Sequence, residues 1–382
     1  MSFNYIGSKK SLINFIDIPI SKIMKNSEDK LTFFDGFAGT GIVGSSFGNK
    51  YNNLKIIAND LEYYSYIINF SLLCVPYTKK LQQIINEINN ILLDPKKIKF
   101  EPGYELITQT YTLKAVESRM FWTEENGLAS DYSRFLIDNM LKEEKINNLE
   151  HVYLIGCLLC SMDKVANTAC IYGAFLKKFK LQALDTFKLL PIHTNQILNN
   201  NNQVYNLDIN DENILNKEYD IVYLDPPYNQ RQYGSNYHPL NYIAKYDNKL
   251  EIYGKAGLIK DSTKSKYCQK SNAYNSLENL VKNLKTKHIL LSYNNEGIIE
   301  FDKIKELLLT LGKVILYKKV YKKFKSNDKI TLNQKQENEK QENEKEFNNE
   351  KKKENVHEYL FHLKKNNKLN SKKNKYKEVL VE

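Results

Sequence analysis

The chain of 382 residues is long enough to bury one large α/β domain with an insert, or two domains. Lys and Arg number 56 against 45 Asp and Glu, and the net charge of +11 fits either a polyanionic partner or a Lys-rich coding bias. The five cysteines are odd in number and scattered, which excludes a disulfide framework and favours a reducing, cytoplasmic compartment.

Membrane and metal binding are not expected from the apolar and cysteine patterns. The apolar run at residues 152–162 is too short to cross a membrane, and the first ten residues lack the apolar stretch of a signal peptide. Cys157 and Cys160 have the spacing of a metal-binding pair, but no second pair accompanies them. We therefore interpret both as core residues of a helix and expect no metal site.

The predicted elements begin with a β-α-β unit and a following helix. Strands are predicted at residues 31–34 and 54–58, with helices opening at residue 42 and covering residues 61–73. This order implies parallel strands joined by a right-handed crossover.

Residues 75–199 have helical rather than strand periodicity. Apolar residues recur at three- and four-residue spacing in residues 81–93, 132–141 and 152–165. We interpret this segment as a helical insert in a discontinuous catalytic domain formed by residues 1–74 and 200–365. An insert of this length between two strands of one sheet usually has a function.

Strand patterns resume after the insert. Apolar runs at residues 203–207, 221–224 and 287–293 each end in polar residues, as parallel strands that deliver side chains to one sheet edge do. Residues 314–324 and 356–363 alternate apolar and polar side chains, which predicts an antiparallel pair at the far edge of the sheet.

Two segments are predicted to lie outside the folded core. Residues 331–355 contain a Lys-Gln-Glu-Asn-Glu unit twice and have almost no apolar side chains, so we expect a disordered loop within the hairpin. Residues 366–382 are expected to form a loose basic tail.

The Gly-rich segment after the first strand indicates a nucleotide-type ligand. Gly39, Gly41 and Gly44 match G-x-G-x-x-G, and Asp60 lies 21 residues after Gly39, which alone would support a dinucleotide site. Asp35, at the strand end, would repel a pyrophosphate and attract the ammonium and sulfonium of S-adenosylmethionine. The sequence therefore favours S-adenosylmethionine over a nicotinamide cofactor.

The four residues Asp225-Pro226-Pro227-Tyr228 follow a predicted buried strand. Two prolines cannot continue a central strand, so the chain must leave the sheet there. A carboxylate, backbone carbonyls and an aromatic ring would then stand at the carboxyl end of the strand, where open α/β sheets bind ligands. This arrangement suits an exocyclic amino group on a ring stacked against Tyr228, and an ordinary Pro-Pro turn is the alternative.

Four segments have a recognisable order and type, namely residues 4–9 (Asn-Tyr-Ile-Gly-Ser-Lys), 34–41, 58–60 and 225–228. Together they resemble one enzyme family, the D12 class of DNA N6-adenine methyltransferases, which includes the Dam-like enzymes. The resemblance implies a Rossmann-like S-adenosylmethionine-dependent methyltransferase fold, a mostly parallel sheet with an antiparallel edge hairpin. It also implies that the helical insert is the target-recognition region.

The resemblance implies roles for individual residues. Those expected to contact the cofactor are Tyr5, Lys9, Asp35, Phe37, Gly39, Gly41, Asp60 and Asp208, with Asp60 on the ribose hydroxyls and with Tyr5 and Lys9 closing over the methionine end. The catalytic residues are expected to be Asp225, Pro226, Pro227 and Tyr228. The loop that follows supplies the expected substrate-binding residues Arg231, Tyr233, Asn236 and His238.

The expected activity is methyl transfer to a flipped-out adenine in double-stranded DNA. Candidate DNA contacts in the insert are Lys164, Asn167, Lys177, Lys178 and Lys180. A monomer or weak dimer is expected, in a restriction-modification system with a cognate endonuclease as candidate partner, or as an orphan methylase. The alternatives are an RNA or protein-amide N-methyltransferase and a non-catalytic DNA-binding specificity subunit. A dehydrogenase is a weaker alternative, because nothing in the sequence resembles a hydride-transfer site.

Overall fold

A computed structural model describes residues 5–94, 103–193, 201–321, 356–366 and 375–381. The strands are β1 (Leu31–Asp35), β2 (Leu54–Asn59), β3 (Gln203–Tyr205), β4 (Glu218–Leu224), β5 (Ile252–Tyr253), β6 (Leu258–Ile259), β7 (Lys285–Asn294), β8 (Gly312–Tyr321), β9 (Val356–Lys365) and β10 (Tyr376–Val381). The helices are α1 (Ile13–Met24), α2 (Ile42–Lys50), α3 (Tyr63–Leu73), α4 (Lys79–Leu92), α5 (Leu106–Tyr111), α6 (Glu124–Lys142), α7 (Asn148–Lys164), α8 (Glu212–Leu215), α9 (Tyr233–Asn236), α10 (His238–Lys245), α11 (Ala273–Asn283) and α12 (Phe301–Leu311).

Eight strands form one mixed sheet in the order β10-β8-β9-β7-β4-β1-β2-β3. Strands β3, β2, β1, β4 and β7 are parallel, and β9 pairs antiparallel with both β7 and β8. The predicted α/β fold with a mostly parallel sheet and an antiparallel hairpin is confirmed. The chain order reverses between β1 and β4, and ligands of open α/β sheets bind at such a switch point.

The far edge of the sheet differs from the prediction. Residues 376–381, expected in a loose tail, form β10 and pair parallel with β8. Val379 and Val381 pack on the apolar core, and Lys318 of β8 lies 2.8 Å from the Glu378 carboxylate, so both burial and charge hold the strand in place. The predicted disordered loop at 331–355 lies outside the described residues.

Both faces of the sheet are covered by helices. One face packs against α1 and α2 through the alternate residues Phe33, Ile56 and Ile221, and the other packs against α11 and α12 through Phe34 and Val222. Adjacent residues of one strand point to opposite faces, so a strand buried on both sides reads as a continuous apolar run.

Helices α4 to α7 lie between β2 and β3 and share a core with α3 and α10. Trp122 is fully buried in this core and its indole N–H donates to the Met162 carbonyl at 2.9 Å. Cys157 and Cys160 are buried in α7, as expected of helix core residues. In the described residues no cluster of three or more His, Cys, Asp or Glu could hold a metal ion, and no helix is long and apolar enough to span a membrane.

Strand β3 is shorter than its apolar run suggests, because its end turns onto β2. The backbone N–H of Leu207 donates to the Asn59 side chain at 3.1 Å, and the Asn206 amide donates to the carbonyls of Asp60 and Leu61 at 2.9 Å each. These bonds replace the strand ladder and fix the ends of the two strands against each other.

Candidate active site

A cavity opens at the carboxyl ends of β1, β2 and β4. Its wall contains eight of the residues predicted from the sequence, namely Tyr5, Phe37, Gly39, Asp60, Asp208, Asp225, Pro227 and Tyr233. It also contains Gly7, Gly36, Asn59, Leu61, Glu62, Leu207, Ile209, Ser265, Lys266 and Tyr267. The predicted convergence of strand ends on one site is therefore observed.

The Gly-rich loop between β1 and α2 is tied to the end of β2. Gly39 and Gly41 have φ of +51° and +76°, a backbone conformation that favours glycine. The Gly39 N–H donates to Asp60 Oδ2 at 2.7 Å, and the Gly39 carbonyl accepts from the Asn69 amide at 2.9 Å. Asp60 thus shapes the loop as well as lining the cavity. Burial raises the pKa of its carboxyl group, and bonds from backbone amides oppose this effect.

Asp35 lies behind the loop rather than in the cavity wall. It is 1% exposed, its Oδ2 accepts from the Gly44 N–H at 3.2 Å, and its Oδ1 is buried without a hydrogen-bond partner. Burial raises the pKa of this carboxyl group to about 8, so it is mostly protonated at neutral pH. Asp35 would therefore attract a cation, as the sequence suggested, only if the bound ligand favours the ionised form of its carboxyl group.

This burial predicts a pH-dependent difference between Asp35→Asn and the wild type. Between the ordinary carboxyl pKa and about 8, the folded wild type holds a proton that the unfolded chain has lost, so its stability falls as pH rises. The amide of the variant does not titrate. We expect its free energy of unfolding, relative to the wild type, to rise by about 1 kcal/mol per pH unit from pH 5 to 8.

Urea unfolding at pH 5, 6, 7 and 8 measures this difference. Exposed Asp247→Asn, on the turn after α10, is the matched control and should show no trend. A pH-independent difference for Asp35→Asn would contradict a buried carboxyl group with a raised pKa.

An aromatic slot forms the wall beyond the Gly-rich loop. The rings of Phe37 and Tyr267 meet edge to face with centroids 5.0 Å apart, and Leu207 and Ile209 line the same side. Asp208 at the rim is exposed, and its Oδ1 accepts from the Asn210 N–H at 2.9 Å. Apolar walls with a polar rim suit a flat heteroaromatic ring.

The residues 225–228 leave β4 at the cavity, and Lys9 reaches them from the N-terminal turn. The Lys9 ammonium lies 2.8 Å from Asp225 Oδ2 and donates to the Tyr228 hydroxyl at 2.8 Å. Asp225 Oδ1 is buried and has no hydrogen-bond partner. Since an unpaired buried carboxylate oxygen is costly, this atom marks an acceptor site for a ligand donor.

Asp225 and Lys9 form a buried ion pair. Burial raises the pKa of the Asp225 carboxyl group, and the Lys9 ammonium opposes that rise. Burial acts to lower the pKa of Lys9, but Asp225 and neighbouring groups together raise it well above its usual value.

The N-terminal turn closes one side of the site. The Ile6 N–H donates to the Tyr237 hydroxyl at 2.8 Å, and the Tyr5 ring stacks on the Tyr237 ring with centroids 4.8 Å apart. A methyl group added at Gly39 would lie 3.0 Å from the Tyr5 ring, so Tyr5 covers the Gly-rich loop directly.

The residues predicted to bind the substrate separate into two groups. Arg231 is exposed, while Tyr233 and Asn236 are half-buried at the edge of the site. His238 is only 1% exposed, and its two ring nitrogens face the carbonyls of Ser235 and Ala256 at 2.9 and 2.8 Å. The prediction that His238 contacts the substrate is wrong for this structure, because the ring packs inside the helical core and burial lowers its pKa to about 4.

Asn167, a predicted DNA contact, is also buried. Its amide donates to the carbonyls of Met120 and Leu176 at 3.0 Å each and accepts from the Lys180 N–H at 3.0 Å, so every polar atom of the side chain bonds to backbone. Lys164, Lys177 and Lys178 are exposed, whereas Lys180 is half-buried and its ammonium donates to the Thr168 carbonyl at 2.8 Å.

Glu62 and Tyr267 line the site but were missed from the sequence. Glu62 is 7% exposed, accepts from the Asn241 amide at 2.7 Å, and burial raises its pKa to about 7. Its position at the start of α3, two residues after Asp60, was an available signal. Tyr267 lies about forty residues after residues 225–228, and no sequence motif around it indicates a role in the site.

Comparison with known proteins places this geometry in context. The sequence model of the family described as D12 class N6 adenine-specific DNA methyltransferase matches residues 5–307. The chain is 40% identical over 332 residues to Type II methyltransferase M.NlaIII of Neisseria lactamica, with 87% of this chain and 95% of that protein covered.

Two further relatives are of similar type. Type II methyltransferase M.FokI of Planomicrobium okeanokoites is 37% identical over 337 residues, covering 85% of this chain but 50% of that protein. Type II methyltransferase M.CviAII of Paramecium bursaria Chlorella virus 1 is 36% identical over 324 residues, covering 84% of this chain and 92% of that protein.

Proposed function

Because the chain belongs to the D12 class of N6 adenine-specific DNA methyltransferases, we propose that it methylates the N6 amino group of an adenine flipped out of duplex DNA. The observation that carries the proposal is the free Oδ1 of Asp225. It is a buried acceptor on a residue of the cavity wall, with its partner oxygen already held by Lys9.

The cavity fits S-adenosylmethionine as the methyl donor. Gly39 and Tyr5 line the wall where the methionine end would lie, and Asp60 and Glu62 offer carboxylates to ribose hydroxyls. Phe37 and Tyr267 line the wall where the adenine ring would lie. When bound, the cofactor supplies an electrophilic methyl group on a sulfonium. The acidic wall suits that positive charge and disfavours a pyrophosphate.

Asp225 and Pro226 act on the target amino group in this proposal. Oδ1 of Asp225 and the Pro226 carbonyl accept its two hydrogens, which draws the nitrogen towards tetrahedral geometry and frees its lone pair. Catalysis is then mostly positioning and electrostatics. The methylated nitrogen loses a proton readily, so Asp225 serves as an acceptor rather than as a base with a pKa near 7.

Tyr228 offers the stacking face for the flipped base in this proposal. Its ring is set by an edge contact with Tyr293, at 5.9 Å between centroids, and by the bond from Lys9 to its hydroxyl. Such stacking contributes about 1–3 kcal/mol per base. Arg231 lies on the adjacent loop, and Tyr233 and Asn236 begin and end α9. Residues 75–199 are proposed to recognise the target sequence.

The test is methyl transfer from labelled S-adenosylmethionine to duplex DNA, RNA and protein, followed by nucleoside analysis. We expect label in duplex DNA as N6-methyladenine, and methylome sequencing of cells expressing the protein should show modification at one sequence. Label in RNA or protein, or as a modified cytosine, would contradict the proposal. Absence of cofactor binding by calorimetry would instead support a non-catalytic specificity subunit.

A further inference from the structure

The Lys9 ammonium binds Asp225, Tyr228 and its own turn rather than lining the cavity. Its ammonium has three acceptors, namely Asp225 Oδ2 at 2.8 Å, the Tyr228 hydroxyl at 2.8 Å and the Gly7 carbonyl at 3.3 Å. Three N–H donors are all that an ammonium has. The side chain is 3% exposed, so its charge is shielded from water and directed at these three groups.

This placement differs from the role expected from the sequence, in which Lys9 closes over the methionine end of the cofactor. Tyr5 and Gly7 of the same turn line the cavity, but Lys9 stands behind them. Its contacts are with the side chains that would hold the target base. One side of the N-terminal turn therefore faces the cavity, and the other contacts residues 225–228.

Resting on the function proposed above, we propose that Lys9 is a positioning residue for methyl transfer, which keeps Asp225 ionised and leaves its Oδ1 free for the target amino group. The ion pair fixes which oxygen is used. Because Oδ2 is bound to Lys9, the unpartnered Oδ1 is the acceptor that remains. The bond to the Tyr228 hydroxyl fixes the stacking ring at the same time.

The charges around Asp225 make this role necessary. Burial disfavours its carboxylate, and the charge of Asp225 in turn raises the pKa of the nearby carboxyl groups of Asp35 on β1 and Glu358 on β9. Tyr223 of β4 and Tyr233 of α9 also interact with it electrostatically. Among these groups Lys9 is the cation. Without it Asp225 would take up a proton, and a neutral carboxylic acid is a weaker acceptor for the amino group than a carboxylate.

The first experiment compares the pH profile of kcat for wild type, Lys9→Met and Lys9→Arg, at saturating DNA and cofactor. Activity should fall on the acidic side as Asp225 is protonated. In Lys9→Met this acidic limb should move up by at least about one pH unit, since an opposite charge at this distance shifts a carboxyl pKa by that much. Lys9→Arg, which keeps the charge, should stay near the wild type, and exposed Lys10→Met should match it.

A second measurement serves if Lys9→Met has no activity. Carbon-13 NMR of labelled Asp carboxyl groups, with the Asp225 signal assigned through Asp225→Asn, gives the titration of Asp225 without catalysis. A higher Asp225 pKa in Lys9→Met supports the inference, and an unchanged titration or an unmoved acidic limb overturns it. If the wild type transfers no methyl group to DNA, the proposed function fails, while the NMR titration still decides the role of Lys9.

Discussion

Replacing Asp225 with Ala is expected to reduce methyl transfer to DNA by at least about 10²-fold, while the affinity for S-adenosylmethionine stays within a few-fold of the wild type. The substitution removes the buried acceptor Oδ1, and among the described residues that line the cavity no other buried side-chain oxygen lacks a partner. Cofactor affinity should survive because the Gly-rich loop, Asp60 and the aromatic slot do not depend on this carboxylate.

The same substitution leaves the Lys9 ammonium buried without its anionic partner. An uncompensated buried charge is itself destabilising, so loss of activity in Asp225→Ala could have two causes. The double variant Lys9→Met with Asp225→Ala separates them, because it removes the charge and the acceptor together. If the acceptor is what matters, the double variant recovers stability but not methyl transfer.

Initial rates with labelled cofactor measure methyl transfer, isothermal titration calorimetry measures cofactor affinity, and thermal unfolding measures stability. Glu218→Ala, at the exposed opposite end of β4, is the matched control and should behave as the wild type in all of them. Methyl transfer by Asp225→Ala within tenfold of the wild type would rule out the role given to Asp225.

Replacing Asp131 with Ala is expected to lower the free energy of unfolding by about 3–5 kcal/mol. This carboxylate of α6 is fully buried and accepts four hydrogen bonds. Oδ1 binds the Ile107 N–H at 3.0 Å and the Tyr246 hydroxyl at 2.6 Å, and Oδ2 binds the N–H and hydroxyl of Thr108 at 2.9 and 2.6 Å. It thus caps the start of α5 and joins it to the end of α10. The variant leaves these donors unpaired beside a cavity.

Chemical denaturation at pH 7 measures this loss, with Asp131→Asn as an intermediate case because it fills the space but keeps one acceptor oxygen. Asp247→Ala, an exposed carboxylate near the end of α10, should change stability by less than about 0.5 kcal/mol. A loss below about 1 kcal/mol for Asp131→Ala would mean that the buried donors find other partners.

The strand ends of the site were predictable because local patterns define them. A buried apolar run that stops at a polar residue locates Asp35, Asp60, Asp208 and Asp225, and parallel strands bring such ends to one edge. The positive φ of Gly39 likewise follows from the Gly-rich turn.

Side-chain direction was not predictable in the same way. His238 and Asn167 are polar residue types that often make surface contacts, yet each hydrogen-bonds to backbone carbonyls inside the helical core. Asp35 faces the start of α2 rather than the cavity. These outcomes depend on which helix packs over a residue, and that is decided by tertiary contacts. The same holds for Tyr267, which joins the aromatic slot from a distant part of the chain.

Strand β10 has a consequence for behaviour in concentrated solution. It covers the outer edge of β8, whose ladder groups would otherwise be open to a strand from another molecule. Among the described strands β10 is then the outermost; it is six residues long and exposes Lys377, Glu378 and Leu380. A short edge strand with two charged side chains discourages intermolecular sheet extension. We therefore expect removal of residues 376–381 to make the protein more prone to aggregation.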